Sequence, residues 1–173
     1  MKKILIFLML LTPLFFFSCE NTEEVTGKVE ATIGGKQHTF PMATFTKQGD
    51  KTIIASTDVG MANSVSIAFK PTTIKTGTYT LGVGTDLLTA LANIGSIGSA
   101  ENIFLYYPTG DADQAFVSIF GVLNITEYSA DKIVGTFSGT GVTKSIANGL
   151  NFDTITKYAQ PFAGSFTAKS YGL

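Results

Sequence analysis

His38 is the only histidine of the 173-residue chain, so any chemistry that needs an imidazole must be built on it. It lies in the stretch "ATIGGKQHTF", where polar Thr39 and apolar Phe40 follow it. A metal site with several histidine ligands is therefore excluded. A Ser-His-Asp triad finds no nucleophile elbow of the G-x-S-x-G type to support it. We predict that His38 is an exposed residue of a strand, with no catalytic role.

Asp111 and Asp113 are a second candidate for chemistry, because two carboxylates at positions i and i+2 beside a glycine can offer oxygen ligands to Ca²⁺. They lie in the loop "PTGDADQ". The loop lacks the remaining spacing and the closing glutamate of an EF-hand. A solvated turn is the simpler interpretation, and a calcium site at these two residues is the alternative.

Scattered carboxylates could also hydrolyse glycosides, which requires two of them to face each other across about 5–9.5 Å. Glu101, Asp111, Asp113 and Glu127 can be combined, but the sequence selects no pair. No phosphate-binding or dinucleotide-binding glycine motif is present. We therefore predict a protein that is not an enzyme and takes no cofactor. Several tyrosines could stack on sugars, yet tyrosine is also an ordinary strand residue: Tyr79, Tyr106, Tyr107, Tyr128 and Tyr158.

Cys19, the only cysteine, follows a short apolar segment near the start of the sequence. Lys2 and Lys3 come first, and the largely apolar run 4–17 comes next. A membrane-spanning helix needs about 20 apolar residues, so this run has the length of a signal peptide instead.

Residues 16–19, Phe-Phe-Ser-Cys, resemble a bacterial lipoprotein cleavage box, in which a small residue precedes the cysteine that becomes lipidated. The resemblance implies a signal peptide over residues 1–18, a lipid such as palmitate at Cys19, and a tether over residues 19–27. Two acyl chains are enough to hold a protein firmly on a membrane. The expected partner of this segment is therefore a membrane.

Glu20, Glu23 and Glu24 follow the cysteine, and acidic residues at this place resemble the surface-export signal of Bacteroidota lipoproteins. The resemblance implies an outer-membrane lipoprotein at the cell surface. The alternative is a periplasm-facing anchor, in which these acids are only a solvated tether. Residues 153–155 resemble the short O-glycosylation motif of Bacteroidota, with Thr154 as acceptor, although three-residue matches often arise by chance.

The composition narrows the class of partner. All twelve cationic residues are lysines, and the loss of Lys2 and Lys3 leaves ten of them against thirteen acidic residues. The chain has no arginine, so it lacks the bidentate donor that phosphate recognition favours. No basic patch is available to release counterions from a nucleic acid. We predict no nucleic-acid partner, while a glycan or a protein partner stays open.

The pattern of the remaining sequence predicts one all-β domain over residues 28–173, an antiparallel β-sandwich of about 8–10 strands. Gly34 and Gly35 supply the positive φ angles of a tight hairpin turn. Val65, Ile67 and Phe69 alternate with polar or small residues, as in a half-buried strand. A lipocalin-like β-barrel is the alternative fold.

Two stretches depart from plain alternation. Residues 86–95 place an apolar stripe at helical spacing, which predicts one short helix: Leu87, Leu88, Leu91 and Ile94. The strand at 115–128 is long, and we predict a bulge or a close backbone approach at Gly121 within it. Its apolar residues occupy alternate positions on both sides of that glycine: Val117, Ile119, Leu123 and Ile125. A further hairpin is predicted around residues 148–149. Three strands share a glycine–hydroxyl–aromatic order that predicts an outward hydroxyl and an inward ring, at residues 77–80, 135–138 and 164–167.

The hairpin "ATIGGKQHTF", the later "GTYTL" and the paired "GVLNITEYSADKIVGTFSG" resemble a family of uncharacterised small Bacteroidota lipoproteins. The resemblance implies a one-domain β-protein with no assigned activity. The leading hypothesis is a non-catalytic binding or structural module at the outer membrane. The alternatives are a lipid-anchored carrier of a small apolar ligand, and a carboxylate-based glycoside hydrolase.

Overall fold

The computed structural model describes residues 27–70, 73–82, 102–147 and 152–171. The predicted signal peptide, the lipidation site at Cys19 and the glutamates of the export signal lie outside these ranges, as does the predicted helix at 86–95.

The described chain is all-β, as predicted, and ten strands form its sheet. The strands are β1 (Lys28–Ile33), β2 (Lys36–Pro41), β3 (Thr44–Gln48), β4 (Lys51–Thr57), β5 (Asn63–Phe69), β6 (Gly77–Leu81), β7 (Ile103–Pro108), β8 (Phe116–Tyr128), β9 (Lys132–Thr143) and β10 (Gln160–Ser170). β1 and β2 form the predicted hairpin, with positive φ at both Gly34 and Gly35.

Short helical segments join several of the strands, and the turn of the hairpin predicted around residues 148–149 lies outside the described residues. They are the 3-10 turn Ala112–Gln114, helix α1 (Lys144–Ala147), helix α2 (Phe152–Ile155) and the 3-10 turn Thr156–Tyr158. The expectation that no helix lies outside the region 86–95 was therefore wrong, while the helix predicted at 86–95 itself lies outside the described residues. Ala147 and Ile155 are buried, so α1 and α2 form because they cover apolar residues on the outside of the sheet.

Seven strands close into a barrel in the order β3–β4–β5–β7–β8–β9–β10, and β10 closes it by pairing with β3 in parallel. Every other strand pair is antiparallel. The hairpin β1–β2 extends the sheet from β10, and β6 extends it from β8. The barrel alternative thus fits the structure, whereas the predicted sandwich is not confirmed.

The length of β8 and β10 explains why the sheet closes. β8 pairs with β7 at residues 116–117 and with β6 at residues 121–125, while β9 lies on its other edge. β10 likewise pairs first with β1 and then with β3. Each of these strands passes from one half of the sheet to the other, so the two halves are joined by hydrogen bonds rather than only stacked.

Phenylalanine rings fill the barrel interior by lying over glycines of the neighbouring strand. Three such cross-strand pairs connect β9 and β10: Phe137 with Gly164, Phe166 with Gly135, and Phe162 with Gly139. A Cβ added at Gly135 would lie 2.7 Å from the ring of Phe166. The inward aromatic and outward hydroxyl predicted for residues 135–138 and 164–167 are confirmed, because both phenylalanines are buried while Thr136 and Ser165 are exposed.

These rings form one stack across the barrel. Phe104 of β7 lies 4.6 Å from Phe162 and 5.0 Å from Phe137 between ring centroids, with the planes nearly parallel. Phe116 meets Phe162 edge-on at 5.9 Å. Offset and edge-on pairs of this kind are the favoured aromatic arrangements. The interior therefore belongs to a packed core, in which aliphatic residues of β1, β4 and β5 also take part.

A second apolar cluster lies on the outside of the sheet, beneath α1 and α2. It consists of Ala68, Ile103, Leu105, Val117, Ile119, Val142, Ala147 and Ile155. The alternation in β8 predicted one shared face for its apolar residues, and this was wrong. Val117 and Ile119 belong to the outer cluster, whereas Leu123 and Ile125 belong to the interior. The register shifts between Ser118 and Phe120, so one extra residue moves the later side chains to the opposite face. The bulge expected near Gly121 is confirmed.

Candidate functional site

The candidate site is a cleft of about 700 Å³ at one end of the barrel. The β1–β2 turn, the end of β7 with the loop that follows it, the start of β10 and helix α1 form its walls. Its polar lining comes from Lys36, His38, Tyr106, Asp111, Gln114, Thr143, Ser145 and Gln160. A cleft of this size is typical of sites for small ligands.

His38 lies in this cleft and is half-buried, so the prediction of an exposed strand histidine was wrong. Its ring centroid is 4.8 Å from that of Tyr106 and 6.0 Å from that of Phe40. The contact with Tyr106 joins β2 to β7, which do not pair with each other in the sheet. Burial lowers the pKa of His38, and the positive charge of Lys36 lowers it further, whereas the negative charge of Asp58 raises it. The lowered pKa favours the neutral form of the imidazole.

Tyr106 is fixed by a chain of hydrogen bonds that continues away from the cleft. Its hydroxyl donates to Oδ1 of Asn63 at 2.8 Å, and Nδ2 of Asn63 donates to Oδ2 of Asp58. The other oxygen of Asp58 accepts the backbone N–H of Ala62 at 2.8 Å. These bonds, led by the one from Asn63, lower the pKa of Asp58. Burial and the charge of Asp58 raise the pKa of Tyr106, which keeps the phenol neutral.

Asp111 lines the cleft, but its carboxylate already has a structural role. Its Oδ1 accepts the backbone N–H of Asp113 at 3.1 Å and so caps the 3-10 turn Ala112–Gln114. Within the described ranges, no group of three or more histidine, cysteine or acidic side chains is placed to hold a metal ion. The arrangement of Asp111 and Asp113 is thus that of a capped turn, and no third ligand of these types joins them.

Of the remaining carboxylate candidates that the structure describes, none lines the cleft. Glu127 lies near the far end of β8 and forms an ion pair with Lys132 at 2.7 Å. At about 3.3 Å per residue, it is roughly 36 Å along the strand from Phe116, and the loop that carries Asp111 and Asp113 precedes Phe116. Glu101 lies outside the described residues. The two acids of a glycosidase cannot be drawn from opposite ends of this strand.

Among the described tyrosines, Tyr106 is the one that lines the cleft. Tyr79 instead exchanges hydrogen bonds through its hydroxyl with the backbone of Lys75 and packs against the interior cluster. Thr154 is half-buried within α2, next to buried Ile155. Nothing in the structure tests glycosylation at this threonine.

Sequence reasoning did not find the side chains that support the cleft. Asn63 and Asp58 belong to the tight turn between β4 and β5, and Gln114 and Gln160 lie just before β8 and at the start of β10. The only local signal was the spacing of Asp58 and Asn63, which is typical of a turn closed by side-chain hydrogen bonds. Their meeting with Tyr106 depends on the pairing of β5 with β7.

A second, shallower groove of about 340 Å³ lies on the outer face of β1, β2 and β10. Glu30, Thr32, Gln37, Thr39 and Ser165 line it. Most of its polar side chains are exposed, and it has no half-buried aromatic ring besides His38, which it shares with the cleft. The cleft is therefore the stronger candidate.

Comparisons with known proteins found no matching family model, no similar curated protein and no similar solved structure. Among the residues that the structure describes, no helix is long and apolar enough to cross a membrane.

Proposed function

We propose that this protein is a lipid-anchored, non-catalytic binding module of the outer membrane or cell surface, and that the cleft is its ligand site. The observation that carries the proposal is the fixed pair of rings in the cleft. Tyr106 is held by Asn63 and Asp58, and His38 packs beside it. A site whose groups are positioned before the ligand arrives loses less entropy on binding.

Among the described residues, the lack of paired acids in the cleft supports binding over hydrolysis. Of the described carboxylates considered as catalysts, which leave out Glu101, only Asp111 lines the cleft, and it serves as a turn cap. A glycosidase needs two opposed carboxylates, one of them with a pKa suited to donating a proton. The phenylalanine-filled interior likewise favours a binding module over a carrier that encloses an apolar ligand in the barrel.

The position of the tether supports display of the cleft. Gly27 joins the domain beside Ala43, whose N–H donates to the carbonyl oxygen of Gly27 at 2.9 Å. From there β1 runs toward the hairpin turn at Gly34, which lines the cleft. Its length corresponds to about 17 Å. An anchor at Cys19 would therefore attach to the domain at the end of β1 that is farther from the cleft.

The test is a thermal-shift screen of the full-length protein in detergent against oligosaccharides, peptides, fatty acids and polar metabolites. A ligand of the folded state raises the melting temperature by mass action. We expect at least one class to do so, and to be recovered chemically unchanged. A double variant, Gln114→Ala with Gln160→Ala, should lose the shift, while Gln37→Ala in the outer groove should keep it. A ligand that is cleaved, or a shift equal in all three proteins, contradicts the proposal.

A further inference from the structure

The cleft is lined by equal numbers of positive and negative side chains, and this balance favours some ligand charges over others. Lys36 supplies one cation and Asp111 one anion. Recognition of a phosphate or carboxylate normally uses a cluster of cations or the fork of an arginine, and the chain has no arginine. A ligand without net charge suits this lining better than an anion does.

The other polar groups of the cleft are amides and hydroxyls, which both donate and accept hydrogen bonds. Gln114 and Gln160 provide the amides, and Thr143 and Ser145 provide hydroxyls that lie 2.9 Å apart. A purely apolar ligand would bury these groups without forming hydrogen bonds to them. Burial of polar groups without hydrogen-bond partners costs binding free energy. A ligand that carries many hydroxyls can satisfy donors and acceptors at once.

The paired rings provide a surface of a different kind. Tyr106 and His38 are both half-buried and uncharged, and the hydroxyl of Tyr106 is already bonded to Asn63. An aromatic face flanked by amides and hydroxyls therefore lies within one cleft. A pyranose ring has the matching shape, because its C–H groups form an apolar face and its hydroxyls form a polar rim.

From these three features we infer that the cleft binds a short, uncharged oligosaccharide, with one sugar ring against Tyr106 and His38 and its hydroxyls on Gln114 and Gln160. The inference rests on the proposed function that the cleft is a ligand site. The volume of about 700 Å³ suits a short oligosaccharide, since sites for small ligands span about 300–1,000 Å³.

Because His38 is the only histidine, its two ring C–H groups give one unambiguous pair of resonances, which report on the cleft and on the outer groove that His38 also lines. The experiment follows these resonances by ¹H–¹³C NMR in the full-length protein in detergent. The probes are cellobiose, maltotriose and diacetylchitobiose, with octanoate and inorganic phosphate as apolar and anionic counterparts. We expect a saturable shift with at least one sugar and none with the other two probes.

Variants locate the binding. The double variant Gln114→Ala with Gln160→Ala should weaken the responsive sugar about tenfold or more, as loss of two ligand hydrogen bonds implies. Tyr106→Leu should abolish the shift, whereas Tyr106→Phe, which keeps the ring, should retain it. Gln37→Ala is the control for the outer groove and should bind as wild type.

The outcomes separate the two proposals. A shift with octanoate or phosphate but with no sugar overturns the ligand class and leaves the binding module standing. A shift with none of the five probes overturns the inference, and the thermal-shift screen then decides the proposed function by itself. A sugar shift that persists in the double glutamine variant and in Tyr106→Leu also overturns the inference, because the sugar then binds elsewhere.

Discussion

Replacement of Gly164 by alanine tests the idea that glycines of β9 and β10 exist to admit phenylalanine rings. A Cβ at this position would lie within 3.0 Å of the carbonyl oxygen of Glu30 and of the ring of Phe137. Neither neighbour can yield easily. Glu30 belongs to β1, which pairs with β10 at this residue, and Phe137 is buried in the ring stack.

The expected cost follows from these contacts. Extra volume in a packed core typically costs about 1–3 kcal/mol. We expect about 3 kcal/mol here, because relief of the contact requires movement of both a backbone strand and a packed ring. For a domain of this size, that loss corresponds to a fall of about 6–12 °C in melting temperature.

Thermal unfolding of the variant, followed by circular dichroism, measures the effect against a matched glycine. Gly110 is exposed, and a Cβ there would have no neighbour within 4 Å. Gly110→Ala should therefore leave the melting temperature unchanged or slightly raised. Addition of Phe137→Leu to Gly164→Ala should cost less than the sum of the two single changes. Equal melting temperatures for the two alanine variants would refute the reasoning.

Three further predictions concern the core, the cleft and the anchor. Phe162→Ala should lower the free energy of unfolding by about 3–5 kcal/mol in urea titrations, because it removes the centre of the ring stack; a loss below 1 kcal/mol would contradict a packed interior. The pKa of His38 is depressed in the folded state, so the unfolded state binds its proton first as the pH falls. Stability should therefore be full above about pH 6.5 and decline below it, and His38→Gln should remove that part of the pH dependence measured between pH 7.5 and 5.5. Cys19→Ser should leave the protein out of the membrane fraction, and unchanged membrane partition would reject lipidation at this residue.

The strands could be predicted from the sequence because the alternation of apolar and polar residues, and the glycines of tight turns, are visible in short stretches of the chain. The hairpin at Gly34 and the inward rings at Phe137 and Phe166 follow directly from such patterns. Closure into a barrel could not be predicted in this way. It depends on β8 and β10 each pairing with two different strands along one edge, and strand pairing over long separations leaves no local pattern.

The candidate site was harder to predict than the fold. His38 was visible as a single titratable residue, but its burial depends on the distance between β2 and β7, which no local pattern specifies. Asn63 and Asp58 carry the signature of a turn and gain their role only when β5 pairs with β7. The wrong assignment of faces in β8 has a similar origin. One extra residue in the strand moves the later side chains to the opposite face of the sheet without changing the apolar composition.

The pairing of β10 also has a consequence for the order of events during biosynthesis. β10 is the last of the ten strands along the chain, yet it holds both β1 and β3, which are among the first. Contacts between segments so far apart in sequence form slowly. We expect the chain to stay unfolded until residues 160–170 are available. A chain that stops before Gln160 should show no cooperative unfolding transition, and a sharp one would disprove this order.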